Sequence, residues 1–295
     1  MGTARTIHLI DASPYIFRAY FALPESITDA AGGPAQATWG FGAFLLQYVE
    51  EQQPTHLGVA FDESLSTSFR NEIYPDYKAQ RELPPEALEA QLHDCRELAA
   101  AFGAATYVDP RYEADDLIGT LTHQLLRAGH RVVVVSPDKD LTQLVTRRVE
   151  MHDVARGRRY DAAGVHAAFG VRPEQIPDYL GLAGDAVDNI PGVAGIGVKT
   201  AAALLAAFDD LESLYADVDL VAGLSLRGAA SVCEKLRRDR DRAFLSRELA
   251  TIARDAPCRA RLREMRLTGP DDERLAPLLE RLGFESLGER VRRTL

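Results

Sequence analysis

The sequence predicts an α/β protein in which a central, mostly parallel sheet with flanking helices is followed by a smaller helical domain. Up to about residue 160, short apolar runs of strand length alternate with longer segments of helical periodicity, the order that builds a parallel sheet. Beyond that point only short helical patterns follow, several of them ending in Gly or Pro. We therefore predict two domains, at residues 1–175 and 176–295.

The first domain should contain three strands and three long helices. The apolar runs of strand length are Thr6–Ile10, Leu57–Phe61 and Arg131–Ser136. The segments with helical periodicity are Trp39–Val49, Pro85–Phe102 and Glu113–Arg127. The short helical patterns that follow are Asp161–Phe169, Pro173–Leu182, Lys199–Phe208, Asp210–Tyr215 and Arg227–Arg238. From Asp255 onwards the sequence is rich in Arg and weakly periodic, so it predicts no element.

The composition is that of an ordinary globular protein, with 46% hydrophobic and 26% charged residues. It excludes a disordered chain, a collagen and a disulfide scaffold. The longest apolar run, Ala201–Phe208, is far too short to span a bilayer, so we expect no membrane association. The three cysteines are far apart and form no CxxC pair, which indicates reduced thiols in a cytoplasmic protein.

The charge is distributed unevenly along the chain. The formal net charge is −10, yet residues 227–295 hold 17 Lys/Arg and 12 Asp/Glu, a balance of +5, which leaves −15 for residues 1–226. Two interpretations are open: an acidic surface that keeps the protein soluble, or a cluster of acids that binds metal ions. The spacing of the acids decides between them.

Acidic residues gather at one end of the predicted sheet. Asp11 and Asp62 come directly after two strands, and Asp138 and Asp140 follow the third. The carboxyl ends of parallel strands line one edge of a sheet, so these acids should converge there. Other acids open a helix or lie in the loop that begins the helical part: Glu113, Asp115, Asp116, Asp185 and Asp188.

Each of these acids, taken alone, has an ordinary explanation as a turn or helix-capping residue. Together the acids would repel one another, because Lys139 is the one basic residue among them. Bound divalent cations would remove that repulsion. Oxygen ligands favour magnesium or manganese over zinc, and none of the seven histidines has a zinc spacing. Without these nine acids the net charge would move from −10 to −1, so most of the net negative charge belongs to the candidate metal site. The acidity of the protein is therefore compatible with a polyanionic substrate.

A glycine-rich segment, Pro191–Ala201, lies among the helices of the second part. It is not a P-loop, because Val198 separates the last glycine from the lysine, and its GxxGxG order is not a dinucleotide fingerprint. We interpret it as a helix–hairpin–helix, whose backbone N–H groups bind DNA phosphates without reading sequence. A plain helix–helix turn is the alternative. The candidate DNA-binding residues are Gly192, Gly195, Gly197, Lys199 and Thr200.

A long connection at residues 67–81 follows the second predicted strand and carries three basic residues and two tyrosines. A connection of this length inside an α/β unit usually has a function. Aromatic rings beside cations suit single-stranded nucleic acid, through base stacking and phosphate contacts. An ordinary surface loop is the alternative. The candidate residues are Arg70, Tyr77, Lys78 and Arg81.

These features together resemble the 5′-nuclease family of 5′–3′ exonucleases and flap endonucleases, and most of all the N-terminal 5′-nuclease domain of bacterial DNA polymerase I. The resemblance extends over residues 6–253 in one order and without large gaps. Besides the glycine hairpin, the segments that carry it are Leu9–Asp11, Phe17–Tyr20, Phe61–Asp62, Ser68–Arg70, Tyr77–Arg81, Glu113–Asp116, Asp138–Leu141 and Gly184–Gly192.

The resemblance implies a PIN-like nuclease core with two or more Mg²⁺ ions, for which Mn²⁺ can substitute. One ion would be surrounded by Asp11, Asp62, Glu113 and Asp115, with Asp116 nearby. The second would be served by Asp138, Asp140, Asp185 and Asp188. A potassium ion at the helix–hairpin–helix is also implied.

The resemblance further implies a helical arch near residues 64–90 that threads or clamps the 5′ strand. Lys78 and Arg81 would come from this arch as catalytic residues that offset the charge developing on the scissile phosphate. Arg18, the third residue with a catalytic role, would touch a phosphate near the site. The hairpin, near residues 189–208, would grip the duplex. The implied protein is a monomer at the nucleoid that cleaves DNA at 5′ ends, flaps and branches in replication and repair, RNA primers included.

The chain departs from the family pattern after the first acid, where Ala12-Ser13-Pro14 replaces the usual glycine and small residues. Ser13 would cap the following helix, with Pro14 in its first turn. Two other functions are open: a DNA-binding protein without catalysis, and a ribonuclease of related architecture. The full set of acids argues against the first, because acids facing phosphate do not help binding, and the hairpin argues against the second.

Overall fold

A computed structural model describes residues 3–63, 68–82 and 84–294. Its strands are β1 Thr6–Asp11, β2 Leu57–Ala60, β3 Ala105–Tyr107, β4 Arg131–Val135, β5 Val149–Asp153 and β6 Arg158–Tyr160. They form one sheet in the order β3-β2-β1-β4-β5-β6. Every neighbouring pair is parallel except β5–β6, which is antiparallel. The prediction of a mostly parallel central sheet is therefore confirmed.

The three strands predicted from apolar runs are β1, β2 and β4, and they are neighbours at the centre of the sheet. The sequence analysis missed the other three strands. β3 and β6 have three residues each, too few to show a period of two. β5 contains Glu150, His152 and Asp153, so it lacks the continuous apolar run of the central strands.

Four helices of the first part cover the two faces of the sheet: α1 Ser13–Ala22, α2 Gln36–Gln52, α4 Glu86–Ala101 and α5 Ala114–Arg127. The short helix α3 Phe69–Ile73 belongs to the connection after β2. Alternate residues of a strand point to opposite faces. Val132 and Val134 accordingly pack in a cluster with α5, whereas Val133 and Val135 pack in a second cluster with α1, α2 and α4.

Among the described residues after Tyr160, only helices follow. They are α6 Ala162–Phe169, α7 Ile176–Ala183, α8 Val198–Ala207, α9 Leu211–Ala216, α10 Ala229–Arg238, α11 Arg240–Ala250, α12 Leu262–Met265, α13 Asp272–Leu282 and α14 Glu285–Thr294. Helices α6 to α10 match the predicted short helices. The Arg-rich end, for which the sequence predicts no element, contains α12, α13 and α14. Leu275, Leu282 and Val291 of the last two helices join the cluster of α2 and α4. The domain division at residue 175 stays a prediction.

Two expectations from composition concern the cysteines and membranes. Cys95, Cys233 and Cys258 are all free thiols, and the first two are buried. In the described ranges, every helix is too short or too polar to cross a bilayer.

His8 of β1 is a buried titratable group whose charge would oppose folding. Its Nδ1 lies 2.6 Å from the hydroxyl of Tyr48. Burial, assisted by Arg159 and His152, lowers the pKa of His8 to about 4. An unfolded chain takes up this proton near pH 6.5, so below that pH it binds more protons than the folded protein does. The contribution of neutral His8 to the free energy of unfolding is therefore complete above about pH 6.5. It decreases as the pH falls below that value and is lost once the pH has fallen through about 4.

We therefore expect the wild-type free energy of unfolding to fall more steeply than that of His8→Gln between pH 7 and pH 4.5, by about 2 kcal/mol. Urea denaturation of both proteins at several pH values measures this difference. The control is His123→Gln, which removes an exposed histidine of α5 and should leave the pH profile unchanged. Parallel profiles for wild type and His8→Gln would contradict the assignment.

Candidate active site

The carboxyl ends of β1, β2 and β4 place three of the predicted acids at one edge of the sheet. Asp11 is the last residue of β1 and is in register with Ala60 of β2, while Asp62 and Asp138 follow β2 and β4. The Ser136 hydroxyl donates to Oδ2 of Asp11 at 2.8 Å and accepts the backbone N–H of Asp138 at 3.0 Å. Sequence analysis did not single out this serine, although it ends the third predicted strand.

Asp62 is held between α1 and α5. Its Oδ2 accepts from the hydroxyl of Ser13 at 2.6 Å, and its Oδ1 accepts from the backbone N–H of Ala114 at 2.8 Å. The expectation that Ser13 caps α1 is wrong, because Ala12 occupies the cap position and the serine side chain bonds to Asp62 instead. Ser13, which departs from the family pattern, thus donates a hydrogen bond that positions Asp62.

Burial and mutual repulsion make these carboxylates unfavourable as bare anions. Burial raises the pKa of Asp11 well above its ordinary range, and Asp62 and Asp138 raise it further. The pKa of Asp115, in the first turn of α5, is raised by burial and then by Asp138 and Asp11. Burial and Glu113 raise the pKa of Asp62. The acids of this edge therefore lie within range of one another's charge.

The donors at this edge are carboxylates and hydroxyls, a set that suits Mg²⁺ or Mn²⁺ better than zinc. Within residues 3–63, 68–82 and 84–294, no group of three acidic, histidine or cysteine side chains is arranged to hold one ion. Several of the acids are instead paired with lysine and arginine side chains. A divalent cation would have to take over these contacts, and the repulsion among the buried acids favours that exchange.

Lys139 lies between two acids on the second side of the site. Its Nζ is 3.1 Å from Oδ1 of Asp140 and also donates to Oδ2 of Asp185. Burial, together with Asp138, raises the pKa of Asp140 to about 7. Burial opposes ionisation of Asp185 as well, yet Lys139 lowers the pKa of this acid below its usual value. A single lysine thus compensates part of the charge of the second group of acids.

Residues 68–82 bring the two predicted arch cations to the acids. The Nζ of Lys78 lies 2.8 Å from Oε2 of Glu113 and 3.6 Å from Oδ2 of Asp188. The Nη2 of Arg81 lies 2.5 Å from Oδ1 of Asp188. The backbone N–H of Lys78 also donates to the carbonyl oxygen of Asp188 at 3.0 Å. Residues 64–67 and 83 of the predicted arch lie outside the described residues.

Arg70 and Asp116 form a buried ion pair instead of the predicted contacts to DNA and metal. Arg70 is 3% exposed and Asp116 is fully buried. Both terminal guanidinium nitrogens donate to the carboxylate, each at 2.8 Å, and the carboxylate also accepts the backbone N–H groups of Glu113 and Ala253. The prediction that Arg70 contacts DNA is wrong, because its guanidinium is enclosed. Protein donors engage both oxygens of Asp116, and its place near a metal ion stays a prediction.

Tyr77 is also enclosed, at 3% exposure. Its hydroxyl lies 3.2 Å from Oε2 of Glu113 and 3.2 Å from Oδ2 of Asp188. The prediction of a DNA contact through base stacking is wrong, since a ring buried to this extent has no face open to a base. Tyr77 contributes a hydroxyl to the two acids that Lys78 also contacts.

Arg18 is exposed on α1, the helix whose first residue bonds to Asp62. Among the described residues it has no carboxylate oxygen within 4.0 Å. Its guanidinium is therefore available to an anionic ligand, and its phosphate contact stays a prediction.

Helices α7 and α8 flank the glycine segment, as the helix–hairpin–helix interpretation expects. Gly192 has a φ of 58°, and a Cβ there would lie 2.3 Å from the backbone nitrogen of Gly184. Its N–H donates to Oγ of the buried Ser246 at 2.9 Å. Gly192 therefore permits close packing of the turn, and its N–H is not available for the predicted phosphate contact.

The far side of the hairpin is open. A Cβ at Gly197 would meet no atom within 4 Å, and this glycine precedes the first residue of α8. Lys199 and Thr200 follow in the first turn of α8, and Lys199 is exposed. Gly195 has a φ of 77°, which favours glycine. These four residues stay candidates for DNA binding.

Comparison with known proteins extends these observations. Two family models match the chain: the 5′-3′ exonuclease N-terminal resolvase-like domain over residues 6–170, and the 5′-3′ exonuclease C-terminal SAM fold over residues 171–273. The DNA polymerase I of Bacillus caldotenax is 40% identical over 96% of this chain, which covers 32% of that protein. The chain thus spans about a third of the curated relatives' length.

Solved structures share the fold. A bacteriophage T5 D15 flap endonuclease, in a complex with DNA and metal ions, has a TM-score of 0.67 and 20% identity, with 98% of each chain covered. The catalytic core of Rad2 in complex with a DNA substrate has a TM-score of 0.63 and 15% identity, covering 99% of this chain and 92% of that one. At these identities the likeness concerns the fold, whereas the matched domain models identify the family. This chain belongs to the 5′–3′ exonuclease family of nucleases, with both the resolvase-like N-terminal domain and the SAM-fold C-terminal domain.

Proposed function

We propose that this chain hydrolyses DNA phosphodiester bonds at 5′ ends and flaps, as a 5′–3′ exonuclease and flap endonuclease that requires divalent metal ions. The observation that carries the proposal is the meeting of buried, mutually repelling carboxylates with Lys78 and Arg81 at one edge of the sheet. Such acids favour divalent cations, and the neighbouring basic groups suit a phosphate. The family membership and the T5 complex with DNA and metal ions support it.

The resemblance to the family assigns the acids to two metal ions. One Mg²⁺ or Mn²⁺ ion would be held by Asp11, Asp62, Glu113 and Asp115, and a second by Asp138, Asp140, Asp185 and Asp188. When bound, such ions activate a water molecule and stabilise the leaving oxygen of an in-line displacement. Ser13 and Ser136 would keep Asp62 and Asp11 in place by the hydrogen bonds described above.

The basic residues of the arch segment would act on the scissile phosphate. Lys78 and Arg81 are held at Glu113 and Asp188 in the protein alone. A phosphate at the acids would offer them an anionic partner, so they would stabilise the charge that develops there. Arg18, exposed on α1, would contact a neighbouring phosphate.

The substrate would be DNA with a 5′ end, flap or branch, bound by a monomer through the hairpin and the first turn of α8. A 5′ segment of RNA paired to DNA would be accepted as well, as primer removal requires. The hairpin would in addition bind a potassium ion. The DNA-binding side of the proposal is supported by the exposed Lys199 and the open space at Gly197.

Metal removal tests the proposal. We expect cleavage of a 5′-flap duplex to require Mg²⁺ or Mn²⁺ and to stop in EDTA, because the candidate ligands are all carboxylates. Product sizing on denaturing gels measures cleavage, and far-UV circular dichroism checks that the fold persists in EDTA.

The same experiment separates the alternatives. Undiminished cleavage in EDTA would contradict the metal-dependent mechanism. Tight binding of the flap duplex without cleavage at any Mg²⁺ or Mn²⁺ concentration would favour the DNA-binding protein without catalysis. A matched single-stranded RNA cleaved in preference to the flap duplex would favour the ribonuclease.

A further inference from the structure

Helices α10 and α11 make four polar contacts with the glycine hairpin. Besides the Ser246 contact to Gly192, the carboxylate of Asp239 accepts the backbone N–H of Ala194 at 3.0 Å. On the carbonyl side, Nζ of Lys235 donates to Gly195 at 3.2 Å and Nη2 of Arg242 donates to Pro191 at 3.2 Å. Two cations from outside the hairpin are thus fixed against its backbone.

These two cations differ from their neighbours in having no acidic partner. Within the part of the chain that the structure describes, neither Lys235 nor Arg242 has a carboxylate oxygen within 4.0 Å. By contrast, Arg237 on α10 is paired with Asp219 and Glu234. The uncompensated positive charge of this helix pair therefore lies on the side that faces the hairpin.

The other charged groups beside the hairpin do not cancel this charge. Asp239 is within range of the charge of Arg242, but Arg238 donates to both of its carboxylate oxygens, at 2.7 and 2.6 Å, and is its main ionic partner. Arg240 and Arg247 are paired with Asp241 and with Asp178 and Glu212, respectively. Lys199, across the hairpin on α8, adds a third cation.

The contacts to carbonyl oxygens leave most donors of the two side chains unused. An ammonium group has three N–H donors and a guanidinium group has five, and each side chain spends one on the hairpin. A phosphate oxygen is a stronger acceptor than a carbonyl, because the bond is then between two charged groups. Both side chains would therefore be able to donate to an anion bound beside the hairpin while keeping their contacts to Gly195 and Pro191.

We propose that Lys235 and Arg242 bind backbone phosphates of duplex DNA, so that the DNA grip consists of the hairpin together with one face of α10 and α11. This inference rests on the proposed function, since it names further residues for the same ligand. Recognition is by charge and carries no sequence preference, as expected for contacts to phosphate alone. The alternative is that the two cations only brace the hairpin.

The test is the salt dependence of binding to a 5′-flap duplex in EDTA, measured by fluorescence anisotropy over a range of NaCl concentrations. Each lost phosphate contact lowers the slope of log Kd against log salt by about 0.9. We expect Lys235→Met/Arg242→Met to bind more weakly, with a slope lower by about 2. Lys235→Arg/Arg242→Lys keeps both charges and should keep the slope.

The matched control is Arg237→Met, which removes one positive charge from the same helix on a side where it is already compensated. It should leave the slope unchanged. Weaker binding of the Met double variant with an unaltered slope would overturn the proposal in favour of bracing, and so would an equal change in Arg237→Met. If the wild type showed no salt-dependent binding to the flap duplex, the proposed function itself would be contradicted. Failure of the proposed function and failure of this inference therefore give different results.

Discussion

Lys78→Met is expected to lower the single-turnover rate of 5′-flap cleavage by about 10²–10³, with little change in DNA affinity. Removal of one preorganised group that stabilises charge in a transition state typically has an effect of this size. Lys78 lies within 2.8 Å of Glu113, and Tyr77 and Asp188 adjoin it, so its ammonium is held at the acids before substrate arrives. The backbone at Lys78 has a φ of 56°, and methionine bears the same strain there, so the substitution removes the charge alone.

The measurement is a rapid-quench time course at saturating enzyme, repeated at increasing Mg²⁺. If Lys78 stabilises the transition state, the rate loss persists at saturating Mg²⁺. If it only positions Glu113, high Mg²⁺ restores the rate, because the ion then replaces the lysine as the partner of the acid. Arg290→Met, which breaks an exposed ion pair with Glu50 between α14 and α2, is the control and should cleave at the wild-type rate.

The parts of the fold that the sequence predicts correctly are those with a strong local pattern. β1, β2 and β4 are buried on both faces, so each is a continuous apolar run that is visible without any knowledge of its neighbours. β5 is largely buried too, but its polar residues Glu150, His152 and Asp153 interrupt the apolar run, and its pairing with β4 and β6 is not visible in the local sequence. The packing of α14 on α2 and of α13 on α4 depends on contacts between residues more than about a hundred and fifty positions apart in sequence, which no local pattern reports.

The same distinction holds for the site. Strand ends predict where Asp11, Asp62 and Asp138 lie, because sheet topology fixes their edge. The sequence could not tell which basic and aromatic residues of the arch segment face inwards. Lys78 and Tyr77 both reach Glu113 and Asp188, but the ring of Tyr77 is enclosed and has no face open to a base. In an irregular segment no period predicts which neighbour is exposed, so the sequence does not show that Arg70 and Tyr77 are enclosed.

Asp116→Ala and Arg70→Ala should each lower the free energy of unfolding by about 3–5 kcal/mol, the cost of leaving one partner of a buried ion pair uncompensated. The pair joins three parts of the chain. Arg70 belongs to α3 and Asp116 to α5, and Nε of Arg70 donates to the carbonyl oxygen of Leu249 in α11 at 2.7 Å. Urea denaturation measures the loss. The control is Arg111→Ala, which breaks a solvent-exposed pair with Glu72 and should change the free energy of unfolding far less.

A double-mutant cycle and EDTA distinguish this structural role from a metal ligand at Asp116. If the two residues are each other's partner, the double variant Arg70→Leu/Asp116→Leu loses less than the sum of its single variants, because no uncompensated charge is left inside the protein. The stability loss of Asp116→Asn should then be the same with Mg²⁺ and with EDTA. A metal ligand would behave differently: Asp116→Asn would remain stable, its cleavage would need more Mg²⁺ than the wild type, and Arg70→Ala would not share that defect. We expect the first pattern, since both oxygens of Asp116 already accept hydrogen bonds from Arg70 and from two backbone N–H groups.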